Sequence, residues 1–181
     1  MARLITCDES SLSKETLAIL EPTRINGKLA DVYLQFANSE PALAAYMSME
    51  QKLREGSLPE HELEAIKLLV SQLTECDYCL AVHTMKARKA GFDKETQLAI
   101  RSGSDTGNPR INTILEIVRH FFEKKGPLPE SLIDSARALG LVDAELVDIT
   151  MAVSTIFFTN ITNHINHTQA TLPAAPPLNP N

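Results

Sequence analysis

Apolar residues recur at intervals of three and four along nearly the whole chain, as in Leu63, Ile66, Leu69, Val70 and Leu73, and again in Ile114, Ile117, Val118, Phe121 and Phe122. That period places one apolar face on each segment of an α-helix. Turn chemistry interrupts it at Gly27, Gly56 to Pro59, Gly91, Ser102 to Pro109, Gly126 to Pro129, and Gly140. Eight or nine helices and an all-α bundle are expected. Leu146 to Phe158 is mostly apolar and rich in β-branched residues, so a buried strand competes there, but its length favours a buried helix. A chain of 181 residues forms one domain with a full core, whereas two halves would each be marginal. The expected domain is 1–170, followed over 171–181 by a Pro-rich extended tail that frays or lies on a neighbouring subunit.

Two motifs recur. Ala87-Arg88-x-x-Gly91-Phe92 resembles Ala136-Arg137-x-x-Gly140-Leu141, and Leu58 to Ser71 resembles Leu141 to Ser154. Either a helical hairpin is duplicated, or each Gly ends one helix and an acidic cluster opens the next.

The net charge of -6, spread along the chain, disfavours a nucleic acid or anionic membrane partner. Asp8 and Glu9 follow the first seven residues directly, leaving no secretory apolar core, and no uncharged apolar stretch approaches membrane-spanning length. A cytoplasmic protein is expected. Three cysteines, an odd number, fit a reducing compartment, and Cys7 has no evident partner.

The other two cysteines carry the chemistry. The run from Glu75 to His83 reads Glu-Cys-Asp-Tyr-Cys-Leu-Ala-Val-His, without Gly or Pro, and is expected to lie on one helix. Cys76 and Cys79 then share a face with Cα atoms about 5 Å apart, within reach of a disulfide. His83 leans over the turn that carries Cys79, which puts a base beside one thiol. Three explanations compete: small apolar packing, a zinc site, and a redox couple. Zinc would take Cys76, Cys79, His83 and either His164 or His167, but a second CxxC or closely spaced histidine pair is missing. No strand precedes the motif, which excludes a thioredoxin-like setting, and the anionic neighbours Glu75 and Asp77 oppose thiolate formation. Redox chemistry assisted by a base is the favoured reading, with no metal and no cofactor.

The spacing of Glu64, twelve residues before Cys76-x-x-Cys79-x-x-x-His83, resembles the signature of the AhpD-like alkylhydroperoxidases in the carboxymuconolactone decarboxylase superfamily. The likeness runs from about Gly27 to Pro173, and Phe158-Thr-Asn160-Ile-Thr-Asn163-His164 is similar to the peroxidase-related branch. It implies an AhpD-like all-α bundle assembled as a homotrimer or homohexamer. It further implies a peroxidase in which Cys79 attacks the peroxide, Cys76 resolves the sulfenic acid, His83 takes the Cys79 proton and Glu64 orients or replenishes His83. The implied partners are a peroxide and an external thiol or dithiol reductant, a lipoyl-bearing protein among the candidates. Helix register alone does not point to Glu64, since twelve residues along one helix leave it about 120° from Cys76. Tyr78 stands where some members carry a histidine. A redox sensor with a reversible disulfide is the alternative from another class. A lactone decarboxylase ranks lower, because that branch generally lacks the paired cysteines.

Overall fold

The computed structural model describes residues 2–170 and 172–178. Its helices are α1 (Lys14–Leu20), α2 (Asp31–Phe36), α3 (Glu40–Glu55), α4 (Glu60–Leu73), α5 (Asp77–Lys89), α6 (Lys94–Ser102), α7 (Pro109–Glu123), α8 (Glu130–Ala138) and α9 (Asp143–Asn166). No strand occurs among the described residues, and the 146–158 segment is helical. Helix starts follow side-chain chemistry. Ser13, Asp93 and Asn108 each accept a first-turn N–H, and Pro109 occupies a position where no N–H is needed.

Helix α4 is the axis of the bundle, and every residue from Glu62 to Ser71 is buried. Its apolar side chains Ile66, Leu68, Leu69 and Val70 meet Ile100, Ile114, Val118, Ile149 and Ile156 from the helices around it. Each such side chain contributes about 1.5–3 kcal/mol by leaving water. Burying α4 on all sides also buries its charges, so each is matched on a different neighbour. Glu62 accepts from Arg110 of α7 at 2.7 Å, Glu64 meets His83 of α5 at 2.7 Å, and Lys67 donates to Glu50 of α3 at 2.7 Å. Removing one member of a buried pair strands its partner at about 3–5 kcal/mol, so these contacts penalise slippage of α4 against its neighbours.

A second apolar cluster joins Leu12, Leu20, Leu29, Leu34, Phe36 and Leu43 of the N-terminal third. It meets α9 where Phe158 stacks on Tyr46, with ring centroids 5.6 Å apart. Asn166 at the end of α9 accepts from the backbone N–H groups of Arg3 and Leu4 and donates to Gln35, tying the first residues down.

Three expectations need correction. The Glu75 to His83 run is not one helix: Glu75 sits at φ 54 in the left-handed region, Cys76 is extended, and α5 begins at Asp77. Two antiparallel helices so close in sequence need such a reversal, and here a non-glycine residue takes it. The recurring Ala-Arg-x-x-Gly motif is a repeated helix ending. Phe92 N–H donates to Ala87 and Leu141 N–H to Ala136, each at 3.0 Å, with Gly91 and Gly140 at positive φ. The next helices, α6 and α9, differ in length, so the motif does not mark a duplicated hairpin. The tail from Leu172 to Leu178 lies on its own chain, where buried Arg101 donates to the Pro176 carbonyl. The rest of the 171–181 segment, Thr171 and residues 179–181, lies outside the described residues.

Helix α9 is long and apolar enough to cross a membrane by length and composition. In this fold, however, its inner face carries Asn160, Asn163 and Asn166, all buried with amide hydrogen bonds inside the protein.

Candidate active site

Cys76 caps the N-terminus of α5, its sulfur accepting the backbone N–H of Cys79 at 3.4 Å. The turn that carries it is fixed from α9. Asn160 donates to the Thr74 hydroxyl at 2.7 Å, and His164 Nε2 meets the Thr74 carbonyl at 2.7 Å. Cys79 is the third residue of α5, within its first turn, and its thiol interacts with that of Cys76. Both thiols are free and buried.

Placement separates the two sulfurs chemically. The hydrogen bond from the Cys79 thiol lowers the Cys76 pKa. Burial opposes it, but the Cys79 and Tyr78 backbone N–H groups reinforce it against the nearby Asp77. A helix N-terminus is a favourable place for an anion. Cys79 is pushed up, first because its thiol is the donor to Cys76 and then by burial, although Asn163 and Thr159 hydrogen bonds pull the other way. The helix N-terminus thus favours the thiolate on Cys76, and burial disfavours it on Cys79.

A base stands beside Cys79. His83 Nδ1 lies 2.7 Å from Glu64 Oε2, and both side chains are buried. Burial would raise the Glu64 pKa, but the His83 hydrogen bond and the charges of His83, Lys86 and Lys67 outweigh it, so the carboxyl lies below its ordinary value. Burial lowers His83 more than Glu64 raises it. An ionised Glu64 only accepts, so Nδ1 carries the proton and Nε2 keeps a free lone pair. Nε2 is then the nitrogen left for the pocket that His83 shares with Cys79.

This pocket, about 80 Å³, is walled by Tyr33 and Phe36 of α2, Tyr46 of α3, Tyr78 and Val82 of α5, and Asn163 of α9. A different cavity of about 500 Å³ opens on Cys76 and is bounded by Tyr78, His164, His167, Gln169 and the tail residues Ala174 and Ala175. His164 and His167 thus flank Cys76 while His83 lies on the Cys79 side, so the four side chains considered for zinc do not converge. Among the described residues no group of three or more His, Cys, Asp or Glu side chains is arranged to hold a metal ion. Tyr78 lines both spaces, and burial raises its pKa to about 12, so it stays a neutral hydroxyl.

The structure brings Cys76, Cys79, His83 and Glu64 together, but by a route the sequence did not show. The twelve-residue spacing crosses the turn between α4 and α5, so Glu64 faces His83 from the other arm of the hairpin. Asn163 was noted in sequence only within a resemblance. It donates to Cys79 Sγ at 3.3 Å and leaves its own buried Oδ1 without a protein partner. The tyrosines of α2 and α3 had no sequence signal, because an aromatic residue on a buried face reads as core.

The chain resembles known proteins in sequence and shape. The carboxymuconolactone decarboxylase family model matches residues 40–120. Bacillus subtilis (strain 168) YdfG is 30% identical over 76 residues, which cover 41% of this chain and 52% of that protein. The match therefore spans about half the length of that relative. A peroxidase-related protein of Ralstonia eutropha JMP134 with the alkylhydroperoxidase AhpD core superposes with a TM-score of 0.81 at 19% identity, covering 94% of this chain and 92% of its own. A peroxidase-related protein of Silicibacter sp. TM1040 gives 0.75 at 21% identity, covering 92% and 89%. The debrominase Bmp8, solved with 2,3,4-tribromopyrrole, gives 0.74 at 17% identity, covering 93% and 92%.

Proposed function

We propose that this chain is a member of the AhpD and carboxymuconolactone decarboxylase superfamily with a thiol-dependent peroxidase activity that cycles Cys76 and Cys79 between dithiol and disulfide. One observation carries this reading: the buried Glu64–His83 pair opens onto the pocket that Cys79 lines. Cys79 shares its pocket with the His83 base and the cavity on Cys76 does not include His83, which supports Cys79 as the attacking sulfur and Cys76 as the resolving one.

The cycle balances. His83 Nε2 takes the Cys79 proton, the thiolate attacks the terminal peroxide oxygen, and the O–O bond breaks as His83 returns the proton to the departing alkoxide or hydroxide. Cys79 is left as a sulfenic acid. Cys76 thiolate attacks that sulfur and forms the disulfide, and the departing hydroxide takes up one proton to leave as water. An external thiol or dithiol then reduces the disulfide, entering from the wider cavity that reaches Cys76. Stopped-flow oxidation of the reduced protein by hydrogen peroxide and by organic hydroperoxides tests the reading, and thiols that react no faster than free cysteine would reject it.

The aromatic walls of the Cys79 pocket favour a second reading, reductive dehalogenation of a small aryl halide. Cys79 thiolate would take the halogen while the ring carbon takes a proton, and Cys76 would expel halide as the disulfide forms. A cavity that holds benzene measures about 150 Å³, and the Cys79 pocket is about 80 Å³, so a peroxide group fits better than a polyhalogenated ring. Halide release measured beside peroxide consumption separates the two.

We also propose that copies of the chain associate through α9. Val147, Phe157, Ile161 and Ile165 are exposed on this helix, the last three at four-residue steps, and Phe121 of α7 is exposed as well. A contiguous apolar stripe of this kind marks an interaction surface.

A further inference from the structure

Glu64 does not end the relay in dry protein. Behind it, on the side of α3, lies a cavity of about 520 Å³ bounded by Glu64, Lys67, Glu50, Arg54, Lys86 and Lys89. Neither cysteine nor any wall of the Cys79 pocket except Lys86 belongs to it. The floor holds one buried ion pair: Lys67 Nζ lies 2.7 and 2.9 Å from the two oxygens of Glu50, and both side chains are nearly inaccessible to solvent. Lys67 is one helical turn beyond Glu64 on α4, so the two project toward the same side. A lysine here is costly to bury, and the core would be simpler with a leucine. Its position beside the relay carboxylate gives it a purpose.

We infer that Lys67, held by Glu50 one helical turn from Glu64, is a positioning residue for the relay, and that the Glu64–His83 pair exchanges protons with solvent through this second cavity, not through the peroxide pocket. The inference rests on the peroxidase reading above. The cycle asks for such a route, because attack of the Cys76 thiolate on the sulfenic acid releases water only when one proton is supplied. Drawing that proton from the far side leaves the small Cys79 pocket to the peroxide. The charges facing Glu64 are His83, Lys86 and Lys89 from α5, Lys67 and Glu60 from α4, and Glu50 and Arg54 from α3. Glu50 is engaged by Lys67, and Arg54 also approaches it. The cations Lys67 and Lys86 lower the pKa of both Glu64 and His83.

Two measurements on the full chain test this. The first is the His83 imidazole titration followed by NMR, which needs no turnover. Lys67→Met should raise the His83 pKa by about one pH unit, the size expected when one close charge is removed, and Lys67→Arg should restore it. If Lys67→Met does not fold because Glu50 is stranded, Lys67→Gln, whose neutral amide can still donate to Glu50, should show the same rise. Glu50→Gln alone should not raise it. The second is rescue of peroxide-driven thiol oxidation in Glu64→Ala by formate or acetate. Rescue should be independent of peroxide concentration, since the carboxylate enters by the other cavity. An unmoved His83 titration in both variants that lack Lys67, or rescue that competes with peroxide or fails, overturns the inference. Failure of the peroxidase reading would look different, because the wild-type thiols would then not react with peroxide while the NMR titrations still answered the first question.

Discussion

His83 on α5 and Glu64 on α4 face each other across the interhelical seam at 2.7 Å, with both side chains more than nine-tenths buried. A hydrogen bond between buried groups of this kind fixes the ring orientation and the tautomer together, so that Nε2 is presented to the Cys79 pocket as a base.

Glu64→Gln and His83→Ala should each slow peroxide oxidation of Cys79 by roughly 10²-fold or more, the usual contribution of a positioned base. The double variant should be little worse than either, since one relay is broken once. Stopped-flow rates together with circular dichroism check this. Unchanged rates in folded variants would remove the pair from the mechanism.

The acid limb of the pH–rate profile should fall below the ordinary imidazole value of about 6.5, because burial lowers His83 despite Glu64. Stability should follow the same sign. Below about pH 6.5 the unfolded chain binds a proton on this imidazole that the folded chain refuses, so folding weakens as pH falls toward the folded value. His83→Gln should flatten that dependence in denaturant titrations between about pH 5 and 7.

Cys79→Ser should abolish peroxide consumption. Cys76→Ser should allow a single oxidation and leave a sulfenic acid that dimedone traps on Cys79. The lowered pKa of Cys76 makes this a demanding experiment: a dimedone adduct on Cys76 in the Cys79→Ser protein, formed as fast as wild-type oxidation, would reverse the assignment.

Arg101 holds the tail by donating to the Pro176 carbonyl while its Nε bonds Gln72. Arg101→Ala should release the Leu172 to Leu178 segment, open the Cys76 cavity and speed alkylation of Cys76 by a bulky maleimide several-fold, with little effect on the rate at Cys79. Peptide mapping of the two sites after timed labelling gives the ratio. Equal acceleration at both cysteines would mean that the bundle itself had loosened.

Light scattering should report an assembly larger than the 19.9 kDa chain, and Phe157→Asp with Ile161→Asp should reduce it to a monomer with an unchanged helical spectrum. A wild-type monomer at micromolar concentration would reject association through α9.

Much of this protein was legible in one dimension. Periodicity forecast an all-helical chain, Gly91 and Gly140 marked helix ends, and the 146–158 segment was correctly a helix by its length. The two cysteines and His83 stood out because their spacing falls within one or two helical turns, where neighbours along the chain are neighbours in space. That same reasoning failed at Glu75, where the absence of Gly or Pro hid a left-handed residue that turns the chain between α4 and α5.

What the sequence determined by itself was therefore local: which segments are helices, where most of them stop, and that two thiols and an imidazole lie close together. Tertiary structure decided the rest. Glu64 reaches His83 only because α4 and α5 fold back on one another, Asn163 reaches Cys79 across 84 residues of chain, and Lys67 acquires Glu50 from a third helix. The physical reason is that helix geometry fixes contacts three and four residues apart, whereas contacts between helices depend on how buried faces pack. The different electrostatic characters of Cys76 and Cys79 have the same origin: one caps a helix and the other is enclosed among α2, α3 and α9, and only the packed bundle sets those surroundings.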